Sequence, residues 1–266
     1  MNAITGLIAF VLYLVSTLGL FMRLKGDNYF SQKPVSTLLF PGFAAVILHG
    51  FVLYEHMTSD NGFQFGFFDA ASSVAIVISL LVLLMSIKRR TEILAVVILP
   101  ITAVTLLTQS LSQPSYMLPY DAPEGLKIHV LVSIIAYSIL GLAACMSIVL
   151  SLQNRLLHNH HPGGWLKKIP PLQVMEKLLF DLITSGFIGL TIALASGFIF
   201  LEDLLAQHLV HKTVLSIIAW LVFANLLIGR FTLGWRGRTA IRWTLIGFAS
   251  LMLAYFGSKF VLEFIV

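Results

Sequence analysis

The chain has 266 residues, 58% hydrophobic and only 11% charged, with a mean hydropathy of +0.92 and a formal net charge of +5. A water-soluble domain of this length would carry about 25% charged residues, so the composition excludes a globule in water and makes lipid the solvent for most of the chain. It also excludes a nucleic-acid partner as the reason for the positive balance, because the basic residues fall at the ends of apolar runs, where they meet anionic headgroups.

Apolar runs near the twenty residues that cross about 30 Å of hydrocarbon recur at 4–22, 38–57, 68–87, 93–111, 126–152, 179–201, 213–228 and 241–265. They are unbroken, without the alternation of a membrane barrel strand. The fold class expected is all-α: a polytopic membrane helix bundle of about eight transmembrane helices, forming a single integral membrane domain.

The first run has no basic residue before it and no small-residue cleavage site, and Arg23 and Lys25 follow it; this is the pattern of a retained anchor that starts outside. The second run encloses His49, and the third opens on Asp69-Ala70-Ala71-Ser72-Ser73, a helix start. The fifth carries His129, Ser133 and Tyr137 at i+4 spacing, one polar stripe on an apolar helix. Cys145, the only cysteine, lies in that run and is read as packing.

A polar stretch, 153–177, follows, with His158, His160 and His161 in a Gly- and Pro-containing segment that lacks cysteine partners. The sixth run presents Gly186, Gly189, Ala193, Ser196 and Gly197, a small-residue face suited to close helix contact within the chain or with a membrane partner. An external segment, 202–212, holds Glu202, Asp203, His208 and His211. Between the last two runs, Gly234-Trp235-Arg236-Gly237-Arg238 reads as a tight basic turn with an interfacial tryptophan.

Of the 17 lysines and arginines, all but Lys127, Lys212 and Lys259 fall on one alternate set of connections and flanks. That set is expected to be cytoplasmic, which places both termini on the non-cytoplasmic side. His49, in a helix running outward, and His129, at the start of one running inward, then lie toward the outer face. An ionisable side chain in lipid is costly and seeks a partner inside the bundle. A neutral imidazole can ligate haem iron, and two at one depth can hold it axially; either histidine can equally hydrogen-bond a neighbouring helix as packing.

No catalytic residue is proposed: the chain has no G-x-S-x-G, no Walker loop and no H-E-x-x-H. No metal site is proposed either.

Ile128-His129-Val130 with Ser133 and Tyr137, Pro170-Pro171-Leu172 before Met175-Glu176-Lys177, the tract from His211 to Trp220, Gly234-Trp235-Arg236-Gly237-Arg238 and Ala254-Tyr255-Phe256-Gly257 together carry a resemblance. The chain resembles the CcsA-like cytochrome c assembly family, in its short YpjD-type inner-membrane branch. The resemblance implies a multi-pass protein of the bacterial inner (plasma) membrane, without enzymatic turnover, that binds or handles haem b alongside other cytochrome c assembly proteins. It implies His49 and His129 as cofactor ligands, with His208 and His211 as secondary haem or metal contacts. The chain differs from the haem-presenting members in having no tryptophan in 202–212 and no histidine in 227–232. The alternatives from other classes are a membrane ion-homeostasis or transport component, and a scaffold that docks a partner without haem.

Overall fold

The computed structural model describes residues 2–59, 62–112, 117–120, 122–158, 169–200 and 207–257. The helices are α1 (Asn2–Lys25), α2 (Asn28–Gln32), α3 (Val35–Met57), α4 (Phe67–Lys88), α5 (Glu92–Leu111), α6 (Glu124–His158), α7 (Leu172–Phe200), α8 (Gln207–Thr232) and α9 (Gly237–Met252), the last extended by a π-helical turn at Leu253–Gly257. Eight of them, all but the short α2, are long and apolar enough to cross a membrane. Pro41 and Pro100 lie inside α3 and α5, as membrane helices tolerate where neighbours satisfy the freed backbone.

The all-α class holds. Among the described residues the extended structure is confined to three pieces of two or three residues, β1 (Thr58–Ser59), β2 (Gly62–Gln64) and β3 (Met117–Pro119), in the order β1-β2-β3.

Several helix ends differ from the hydropathy reading, which stops a helix at its first charges although backbone hydrogen bonding continues beyond the hydrocarbon. α6 runs to His158 and α7 begins at Leu172, so both flanks of the stretch 153–177 are helical. α8 begins at Gln207, which corrects the placement of His208 and His211 in a loop: both are helical, with no Gly or Pro near them to break the turn. The side chain of His208, His160 and His161, and residues 258–265 of the eighth span lie outside the described residues.

The chain divides into two compact units, Met1–Leu118 with Gln153–Pro171, and Pro119–Leu152 with Leu172–Val266. In the first, Ala9 of α1, Val52 of α3 and Leu106 of α5 meet in a fully buried apolar cluster. Gly42 lets α3 approach closely: a Cβ there would sit 3.0 Å from both Ser16 Oγ and a Leu83 methyl. The turn after α1 is clasped by Arg23, whose Nη1 donates to the carbonyls of Phe30, Ser31 and Lys33, while Asp27 caps α2 by accepting from Tyr29 N and Phe30 N.

In the second unit the small face of α7 packs on α6. A Cβ on Gly186 would fall 2.6 Å from Leu140, and one on Gly189 would fall 3.0 Å from the Cβ of Ala136. Of the two uses that the small-residue face allows, the described residues show contact within the chain: α6 covers Gly186 and Gly189. Trp220 Nε1 donates to Thr191 Oγ1 at 2.9 Å and its ring stacks on Phe187, joining α8 to α7.

The basic turn between α8 and α9 is a built corner. Gly234 and Gly237 adopt φ of +66° and +53°, a region that favours glycine. Trp235 lies over Gly229 and stacks on Trp243. Arg230 donates to the Trp235 carbonyl and sits over the Phe180 ring, and Glu176 accepts from Gly237 N and pairs with Arg236.

Candidate functional site

Each unit holds one of the two histidines singled out in the sequence. His49, on α3 in the first unit, is fully buried. Its Nδ1 lies 3.2 Å from the Tyr13 hydroxyl of α1 and its Nε2 2.7 Å from Ser72 Oγ of α4. The Tyr13 ring meets the imidazole edge-on. Both ring nitrogens are therefore engaged, which answers the cost of an imidazole in an apolar bundle.

One heptad further along the same face of α3, His56 Nδ1 lies 2.9 Å from Asp69 Oδ1. Asp69 is the helix start read from the sequence, since its Oδ2 accepts from Gly66 N at 3.0 Å. It also accepts from Gln109 Nε2 of α5 at 3.2 Å, and Gln109 Oε1 is buried with no hydrogen-bond partner among the described residues. Down α4, Asp69, Ser72, Ser79 and Ser86 follow at spacings of three, seven and seven, all buried. Ser79 meets Thr102 of α5 at 2.7 Å, and Ser86 meets Thr91 at 3.3 Å. Unit one thus contains a buried polar seam of which His49 is one member. The sequence reading missed Tyr13, His56, Asp69 as an ion-pair partner, and Gln109. The seven-residue interval from His49 to His56 is the signal that could have found His56; no such spacing marks Tyr13 or Gln109.

His129, on α6 in the second unit, is half-buried. Because α6 and α7 cross closely where Ala136 meets Gly189, one heptad back along α6 and one forward along α7 brings His129 opposite Ser196. His129 Nδ1 lies 3.0 Å from Ser196 Oγ. Nε2 has no hydrogen-bond partner among the described residues.

The Thr191–Trp220 bond sets the register of α7 on α8; nine residues on, it brings the exposed His211 level with Phe200, whose ring covers Gly125 of α6. His129 and His211 therefore gather toward the same end of this unit. Among the described residues, no three His, Cys, Asp or Glu side chains converge as a metal set.

The cytochrome C assembly protein family model matches residues 37–266. Inner membrane protein YpjD of Escherichia coli K12 is 27% identical over 83% of this chain and 84% of its own length. An uncharacterized 28.8 kDa protein of Azospirillum brasilense is 34% identical over 51% of each chain. Cytochrome c biogenesis protein CcsA of Chlamydomonas reinhardtii is 28% identical over 59% of this chain and 44% of its own. No solved structure matches.

Proposed function

The chain belongs to the cytochrome c assembly protein family, and from that premise we propose that it is a non-enzymatic, haem-handling member, with His129 as its principal iron ligand. It is a multi-pass inner-membrane protein. The observation that carries the proposal is the state of the His129 ring: Nδ1 is tied to Ser196 while Nε2 has no hydrogen-bond partner among the described residues. That is the arrangement of a ligating histidine, whose second nitrogen is held by an outer partner.

His49 fits the same role only after Tyr13 or Ser72 releases one of its nitrogens. His211 and His208, at the start of α8, would serve at the edge of the site rather than as the first ligand. Haem, when bound, supplies the iron that the imidazole ligates and the porphyrin that assembly delivers to apocytochrome c.

The test is an absorbance spectrum, oxidised and dithionite-reduced, of protein purified in mild detergent from haem-replete cells. The expected result is a set of sharp reduced b-type bands, abolished in His129→Ala and weakened in His49→Ala. A featureless spectrum at full haem supply overturns the proposal.

One observation favours a second reading, in ion homeostasis. The first unit buries a carboxylate, Asp69, in a membrane-spanning helix, pairs it with His56, and leaves Gln109 Oε1 beside them without a donor among the described residues. Intramembrane chains of Asp and His characteristically mark proton relays. Under this reading, proteoliposomes take up protons under an imposed potential and Asp69→Asn abolishes the uptake. Uptake equal to that of protein-free vesicles sinks it.

A further inference from the structure

We infer that Ser196 is a positioning residue that locks His129 in the tautomer with hydrogen on Nδ1, so that the Nε2 lone pair is presented for coordination. The inference deepens the haem-handling reading and rests on it for its ligand.

The argument runs through one hydroxyl hydrogen. Ser196 Oγ lies 2.9 Å from the carbonyl oxygen of Ala193, one turn back along α7. A carbonyl only accepts, so in that bond the serine is the donor. A hydroxyl has a single hydrogen, and with it committed to Ala193 the oxygen faces His129 Nδ1, 3.0 Å away, as an acceptor. Nδ1 must then carry the hydrogen.

In a neutral imidazole one nitrogen donates and the other accepts, so Nε2 is left with a lone pair and no partner among the described residues. The serine itself is 8% exposed, which keeps water from competing for the bond. Its place is secured by the α6–α7 contact at Ala136 and Gly189, one heptad away on each helix. The two helices thus do for His129 what Tyr13 and Ser72 do not do for His49: they orient one nitrogen and, among the described residues, leave the other without a partner.

The experiment uses the full chain in detergent, labelled with 15N-histidine and free of haem. His129 is identified by the resonances lost in His129→Gln. The expected spectrum shows protonated Nδ1 and bare Nε2 in the wild type and in Ser196→Thr, which keeps the hydroxyl, and loss of that preference in Ser196→Ala. A wild-type His129 protonated on Nε2, or a tautomer unchanged in Ser196→Ala, overturns the lock.

Titration with ferric haem b gives the second readout. Outer partners of ligating histidines are worth about 10–100-fold in metal affinity, so Ser196→Ala should bind haem b weaker by that factor and Ser196→Thr should stay near wild type. Equal affinity in Ser196→Ala overturns the positioning role. Failure of the wild type to bind haem b overturns the haem reading and the ligand role with it, while the nitrogen spectrum still decides the tautomer.

Discussion

The two histidines that look alike in the sequence are chemically unlike in the fold. His49 spends both nitrogens on protein partners, whereas His129 spends one. Hydrogen bonds between membrane helices contribute about 0.6 kcal/mol on average, so Ser72→Ala should lower unfolding stability by roughly that much, measured by denaturant titration in detergent. Under the haem reading the same substitution frees Nε2 of His49, and haem content per chain should rise. A fall in haem content would show that the Ser72 bond supports ligation. Both histidines were visible in the sequence because an ionisable residue interrupts an apolar run. Tyr13, Ser72 and Gln109 were not, because hydroxyl and amide side chains are ordinary in such helices and their pairing depends on the register of helices 23 to 40 residues apart. Asp69 shows the same limit: its place at a helix start was legible, its bond to Gly66 N and its pairing with His56 across two helices were not.

At the scale of elements, the helices were legible and their ends were not. Apolar length identifies a span, but α6 reaches His158 and α8 begins at Gln207 because nothing there breaks the backbone hydrogen bonding. The small face of α7 was also legible; its occupant was not, since glycine spacing allows close contact without naming the neighbour. With Ala136 against it, Gly189→Leu overpacks the α6–α7 contact and should cost about 1–3 kcal/mol. The same change should displace Ser196 from His129, so haem affinity should fall together with thermal stability. A destabilised variant with unchanged haem affinity would show that the crossing does not set the His129–Ser196 contact.

At the scale of the whole molecule, the basic residues divide so unevenly between the two sets of connections that a single orientation is proposed, with both termini outside. An alkaline phosphatase fused after Val266 should be active, and a green fluorescent protein at the same place dark; the reverse pair overturns the orientation. The clasp at Arg23 adds something charge alone does not. By holding three carbonyls of the segment that follows α1, it turns the link from α1 to α3 into a stiff hairpin bend whose cation is no longer free to follow either helix through the bilayer. On the proposed orientation the bend would act as a pawl, with the first two spans entering as one piece, and Arg23→Ala should then raise the share of inverted chains in the phosphatase fusion.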